Sequence, residues 1–188
     1  MIIDNNTGIW LNNSLEGHGY DTYLSNALVN VLKRNNITNV YDFGCGHGLY
    51  TRNFIVNKIM CEGYDGNPDT PRLADGLATT LDLSTPIDLG KQFDWVLSLE
   101  VGEHLPPCYE RIFIENLDRH ANQGIILSWA VKGQGGFGHF NEQSNDYIKT
   151  TLSSYGYTPD ESVETFLREA SLLPWFKDTL MAFRKKTS

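Results

Sequence analysis

Apolar side chains at Tyr20, Tyr23, Leu24, Ala27, Leu28, Val31 and Leu32 recur at intervals of three and four, which lines one face of a helix. Asp21 can cap its start, and Asn35-Asn36 can stop it. The period then changes. Val40-Tyr41-Asp42-Phe43 is a short continuous run that predicts a buried strand; it ends in glycines 44, 46 and 48 and gives way to a helix over residues 49–57. Further strands are predicted over residues 60–64, 79–83, 93–99 and 124–130, with a helix over 108–121 ahead of the last. Helices near 144–155 and 161–172, the segment Tyr157-Thr158-Pro159 between them, and a strand over 179–184 finish the pattern. Near-continuous apolar strands imply a sheet covered on both faces. Strands alternating with helices imply a three-layer α/β domain, and right-handed crossovers make its sheet mostly parallel. No repeat or linker divides the 188 residues. One domain is expected over 1–188, with a core over 20–184 and residues 1–19 as an N-terminal lid segment.

Composition narrows the partners. At 40% hydrophobic residues, a chain of this length can build a core without staples. Its 15 Lys and Arg against 23 Asp and Glu leave a net charge of −8, which repels a phosphate backbone and disfavours nucleic acid or an anionic membrane as partner. Cys45, Cys61 and Cys108 form no CxxC pair, so neither a disulfide framework nor a zinc ribbon is supported. No apolar run reaches the roughly 18 residues of a membrane span. The first residues lack the features of a signal peptide. A soluble protein of the reducing cytoplasm is expected.

The chemistry concentrates at strand ends. In Asp42-Phe43-Gly44-Cys45-Gly46-His47-Gly48, strand passes to helix through glycines that let backbone N–H groups face a ligand. A dinucleotide site wants GxGxxG; here the third glycine comes one place early and an acid precedes the first, which favours a ligand carrying positive groups. Asp65 follows Asp42 by 23 residues at the end of the second strand, where a carboxylate can accept both hydroxyls of a ribose. Asp82 is placed at the end of the third strand and Glu100 at the end of the fourth. Four carboxylates would then gather at the carboxyl edge of the sheet, where like charges call for a cationic partner.

These residues resemble the class I S-adenosylmethionine-dependent methyltransferases over roughly 20–184. The resemblance is carried by Val40 to Gly48, by Gly63-Tyr64-Asp65-Gly66-Asn67, by Thr80-Leu81-Asp82-Leu83 and by Phe93 to Leu105, which includes Glu100-Val101-Gly102-Glu103-His104. It implies a Rossmann-like, seven-stranded sheet with the last strand antiparallel. It also implies S-adenosylmethionine as cofactor and S-adenosylhomocysteine as product. Asp42 would then lie near the methionine amino group, Asp65 on the ribose and Asp82 near the adenine amine. Gly44, Cys45, Gly46, Gly48, Gly66, Asn67, Leu83, Glu100 and Val101 complete the expected cofactor contacts.

Methyl transfer needs alignment first and a base only for a protonated acceptor. His139, on the glycine-rich loop over 131–141, and His104, beside the expected methyl donor, are the candidate catalytic residues; His18, Phe137 and Asn141 are candidate substrate contacts. Pro106-Pro107-Cys108-Tyr109 is displaced from the strand end where an amide or adenine methyltransferase carries its Pro-Pro-Tyr motif. No HxxE, paired histidines or tight carboxylate cluster is evident, so no metal is expected. The short segments outside the sheet favour a small-molecule acceptor methylated at oxygen or nitrogen. A cofactor-binding subunit without catalysis, or an enzyme moving another group of the cofactor, are the alternatives.

Overall fold

The structure, a computed structural model, describes residues 2–11 and 19–186. Seven strands form one sheet: β1 (Asn39–Phe43), β2 (Met60–Asp65), β3 (Ala78–Thr80), β4 (Phe93–Ser98), β5 (Ala121–Ser128), β6 (Tyr157–Pro159) and β7 (Leu180–Lys185). Their order is β3-β2-β1-β4-β5-β7-β6. The pairs from β3 to β5 are parallel, whereas β7 inserts between β5 and β6 antiparallel to both.

Alternation along the central strands divides the core into two layers. Val40, Trp95, Leu97 and Ile126 face α1 (Thr22–Arg34), α2 (Leu49–Val56) and α6 (Glu161–Ala170), where Leu24, Leu28, Phe54 and Leu167 meet them. Tyr41, Phe43, Val96, Ile125 and Leu127 face the opposite way, onto Phe113 and Leu117 of α4 (Glu110–His120) and Ile148 and Leu152 of α5 (Asn145–Ser154). Each of these large side chains contributes about 1.5–3 kcal/mol by leaving water. A one-residue slip of β1 would exchange the two layers, which is why its register is strongly specified.

Asp21 caps α1 through the Leu24 N–H and also accepts the Ser171 hydroxyl and the N–H groups of Leu172 and Leu173. Burial alone would raise its carboxyl, but these bonds from Ser171, Leu24, Leu173 and Leu172 hold it below the ordinary range. One side chain thereby ties the first helix to the segment after α6.

Two short helices, α3 (Thr70–Leu73) and α7 (Pro174–Thr179), stand where no helix was expected; each carries proline in its first turn and is too short for an apolar period to show. β3 is shorter than the expected 79–83. After Thr80 only the Leu81 N–H still bonds β2, through Asp65 O, so Asp82 sits in a turn beyond the strand rather than ending it. The helix expected over 108–121 is a 3₁₀ turn over Pro107–Tyr109 followed by α4, and Ala121 already belongs to β5. Among the described residues, no helix is long and apolar enough to cross a membrane.

Candidate active site

Parallel strands carry their following loops to one edge of the sheet, and a cavity of about 380 Å3 opens there. That lies within the range of small-molecule pockets, roughly 300–1,000 Å3. One end is the turn after β1. The N–H groups of Gly44 and Cys45 both bond to Tyr64 O, which clamps the turn onto β2. Gly44 has φ +81°, and a Cβ there would overlap Val101 in the loop after β4. Asp65 Oδ2 accepts the Gly46 N–H (2.9 Å) and Oδ1 the Asn67 N–H (2.9 Å), leaving lone pairs toward the cavity. Asp42, 3% exposed, accepts the Thr51 hydroxyl at 2.6 Å. Burial pushes its carboxyl up to about 7, with the neighbouring Asp65 charge adding to the rise and the Thr51 hydroxyl opposing it. Burial likewise raises the Cys45 thiol well above its ordinary range, so it lines the wall as a neutral group.

The other end is assembled from three segments. Glu100 leaves β4 with φ +55°, an uncommon conformation for a residue with a side chain, held by its N–H donating to Ser128 Oγ. Gly102 passes flat against the Trp129 ring, where any Cβ would collide. Glu103 follows, fully buried, and neither of its carboxylate oxygens has a hydrogen-bond partner. Burial and then the adjacent Glu100 carboxyl push it well above the ordinary range, and burial raises Glu100 as well.

The glycine-rich loop is pinned rather than free. Glu142 accepts the N–H groups of Gly133 and Gly135 (2.7 Å each) and bonds His139 Nδ1 (3.1 Å). Burial would raise the Glu142 carboxyl, yet the donors Gly133, His139 and Gly135 hold it below the ordinary range. The Glu103 carbonyl accepts the N–H groups of Phe140 and Asn141, joining this loop to the one after β4. His104 Nδ1 lies 3.0 Å from Gly138 O, and the His104 and His139 rings meet edge-on at 5.0 Å. The third segment, residues 2–11, is a small hairpin bridged between Ile3 and Trp10 and knotted by Asp4, whose oxygens accept from Asn6 and Thr7. It lays Thr7 to Trp10 along the cavity, with the Trp10 ring edge-on to His104 (5.1 Å) and Phe137 (5.9 Å).

Of the expected cofactor contacts, Asp42, Gly44, Cys45, Gly46, Asp65, Gly66, Asp82, Leu83, Glu100 and Val101 line this cavity, as do His104, Phe137 and His139. Three expected residues do not. Gly48 stands outside the lining as the left-handed cap of α2, close to Ala74. Asn67 is buried under the turn after β2, where its side chain accepts the Asp69 N–H and its carbonyl the Thr70 and Thr80 hydroxyls. Asn141 is buried, donates to Glu110 and accepts the Trp129 indole N–H at its carbonyl; it does not touch the cavity, and Ser144, not Asn141, caps α5. His18 lies outside the described residues. Asp82 spends Oδ1 on the N–H and hydroxyl of Ser84. His120 is a core residue, its Nε2 accepting the Leu89 N–H. Glu103 and Glu142 stand at this end although neither is among the residues expected at the site. Glu103, His104 and His139 each offer a donor atom within 4.8 Å of the others.

Comparison with solved structures decides the fold. A sugar N-methyltransferase from Streptoalloteichus superposes with a TM-score of 0.72 over 92% of this chain and 91% of that one, at 13% identity. The chain has the class I methyltransferase fold. The magnesium protoporphyrin IX methyltransferase of Synechocystis, crystallised with S-adenosylhomocysteine, matches at 0.66 with 19% identity over 86% of this chain and 82% of its own. An amino pentose methyltransferase from Micromonospora echinaspora matches at 0.67 with 14% identity, covering 91% and 94%. In sequence, a probable chloroplastic tocopherol O-methyltransferase of Oryza sativa subsp. japonica is 33% identical over 106 residues, which is 48% of this chain and 28% of that protein. The chain thus spans under a third of that curated relative. No family model matches. The methyltransferase fold here differs from the expectation in its short elements and element ends, while the seven strands and the antiparallel last strand are as the resemblance implied.

Proposed function

We propose that the protein is an S-adenosylmethionine-dependent methyltransferase acting on an oxygen or nitrogen of a small-molecule acceptor. The observation that carries this reading is the charge of the cavity. Asp42, Asp65, Asp82 and Glu100 line it, and among the described residues no lysine or arginine does. A pyrophosphate would be repelled there, whereas a ligand bearing a sulfonium and an ammonium is attracted. When bound, that cofactor supplies a methyl group already activated by positive sulfur. The chain's task is then placement. Asp65, fixed by Gly46 and Asn67, offers its outer lone pairs to two ribose hydroxyls. Asp42 sits deepest and answers the ammonium, and Leu83 and Val101 provide apolar walls. The hairpin over residues 2–11 acts as a lid that keeps water from the reacting atoms, and Phe137 and Trp10 border the acceptor. Neighbours whose names state sugar, porphyrin or tocopherol substrates agree with a small acceptor. A net charge of −8 argues against nucleic acid, and three free cysteines suit the reducing cytoplasm.

Calorimetric titration tests the reading. S-adenosylhomocysteine should bind one per chain and NAD should not; NAD binding without binding of either adenosyl ligand would overturn it.

A further inference from the structure

The corner between the loop after β4 and the glycine-rich loop contains a buried acid with no partner. Glu103 is 0% exposed, and neither of its oxygens finds a hydrogen-bond partner within bonding distance among the described residues. The group beside it is another carboxyl, Glu100, whose charge pushes the Glu103 carboxyl further up. Ionised, such a carboxyl costs several kcal/mol unless a cation compensates it. Among the described residues, no lysine or arginine lines the cavity next to it.

What does surround Glu103 is a pair of histidines turned in a particular way. His104 directs Nδ1 at the Gly138 carbonyl, and His139 directs Nδ1 at the Glu142 carboxylate. An acceptor held at one ring nitrogen sets the tautomer and orients the imidazole. This is the second support that metal-binding histidines ordinarily have. Gly136 packs against the His139 ring, where a Cβ would collide with Nε2, Cε1 and Cδ2, so the ring is held in place. Donor atoms of Glu103, His104 and His139 all lie within 4.8 Å of one another. Around a cation held at about 2.1 Å they would stand roughly 3–3.5 Å apart, so the three need to close by about 1.3–1.8 Å at the widest.

We propose that Glu103, His104 and His139 form a site for one divalent transition cation at the acceptor end of the cavity, with coordination positions left open for an acceptor oxygen. Two imidazoles and a carboxylate suit Mn2+, Co2+ or Zn2+ better than Ca2+ or Mg2+. Three protein ligands leave at least one position open, and of the three His104 and His139 line the cavity. A hydroxyl bound there is oriented and polarised, which makes oxygen rather than nitrogen the acceptor atom. The role of the acceptor rests on the methyltransferase reading; the cation site does not.

The probe is Co2+, added to chain first treated with a chelator. Wild type should take up one Co2+ per chain with a visible d–d band and a raised melting temperature. Glu103→Gln and His139→Ala should each weaken uptake by about 10²-fold or more, and Glu142→Gln, which supports His139 without touching the ion, by about 10-fold. Metal-free Glu103→Gln should melt close to wild type, since the amide is isosteric with the carboxyl; should it fail to fold, His139→Ala gives the same reading. Absence of the band in wild type, or a band of full strength in both Glu103→Gln and His139→Ala, would overturn the site. Acetohydroxamate, a small oxygen chelator, should shift the band, and an unshifted band would overturn the open position. S-adenosylhomocysteine is titrated into the same samples. Its binding without Co2+ binding defeats the cation site alone, and Co2+ binding without it defeats the methyltransferase reading alone.

Discussion

At the glycine-turn end of the cavity, Asp42 to Gly46 comes from one stretch of chain and is clamped by the strand beside it, through Tyr64 O and Asp65. The opposite end takes Glu100 to His104 from one loop, His139 from a second, and Thr7 to Trp10 from a hairpin that precedes the first helix. The first end is preorganised by backbone hydrogen bonds that any sequence with those glycines can make. The second depends on particular side chains meeting across long separations: Glu142 on the N–H groups of its own loop, Gly102 against Trp129, Trp10 against His104. A cofactor common to many enzymes can be held by the first kind of construction. An acceptor peculiar to one enzyme needs the second.

The sharpest test of this division is Asp65→Ala. Losing two charge-assisted hydrogen bonds, at about 1.5–3 kcal/mol each, should weaken S-adenosylhomocysteine binding by about 10²-fold or more. Asp82→Ala, with Oδ1 already committed to Ser84, should lose about 10-fold or less. Calorimetry compares them, and equal losses would mean that the two acids share the ligand evenly. The ends do touch at one place, so Gly44→Ala should break the separation. A side chain at φ +81° pressed into Val101 should lower unfolding free energy by about 2–4 kcal/mol, read by denaturant melts. Adding Val101→Ala should restore part of that loss, and an unchanged melt for Gly44→Ala would show that the ends are independent.

The smallest effect on ligand affinity concerns pH. The Asp42 carboxyl is raised from an ordinary 3.8 to about 7, so the folded chain holds a proton that the unfolded chain releases. The stability this contributes is full below pH 3.8 and is lost as pH rises through 7, at up to about 1.4 kcal/mol per pH unit between the two values. A cationic ligand prefers the carboxylate, so affinity should rise from pH 6 to 8 by about 10-fold or less. In Asp42→Asn both slopes should flatten, and persistence of either would place the titrating group elsewhere.

This contrast also explains what could be read from the chain alone. Val40 to Phe43 and Phe93 to Leu99 announce buried strands because both faces are covered, and Asp42 and Asp65 flank the turn at a spacing dictated by one βαβ unit. Helices α3 and α7 were missed because four and six residues hold no full amphipathic period. Asn141 was misassigned to the substrate because polarity next to a glycine loop resembles a site, whereas its bonds to Glu110 and Trp129 turn it inward. Glu103 and His104 are adjacent in sequence, yet the histidine that completes their cluster lies 35 positions later (139 − 104). No local period reports that meeting; it follows from β5 delivering its loop beside that of β4.

The placement of Trp10 makes the molecule optically self-reporting. Of the four tryptophans, Trp95 and Trp129 are sealed in the core at 1% exposure each, and their emission should stay constant when the cavity fills. Trp10 and Trp175 line the cavity, and the Trp10 indole stands 5.1 Å from the His104 ring. Light emitted by Trp10 therefore carries the state of the acceptor end, without a dye, a tag or a known substrate.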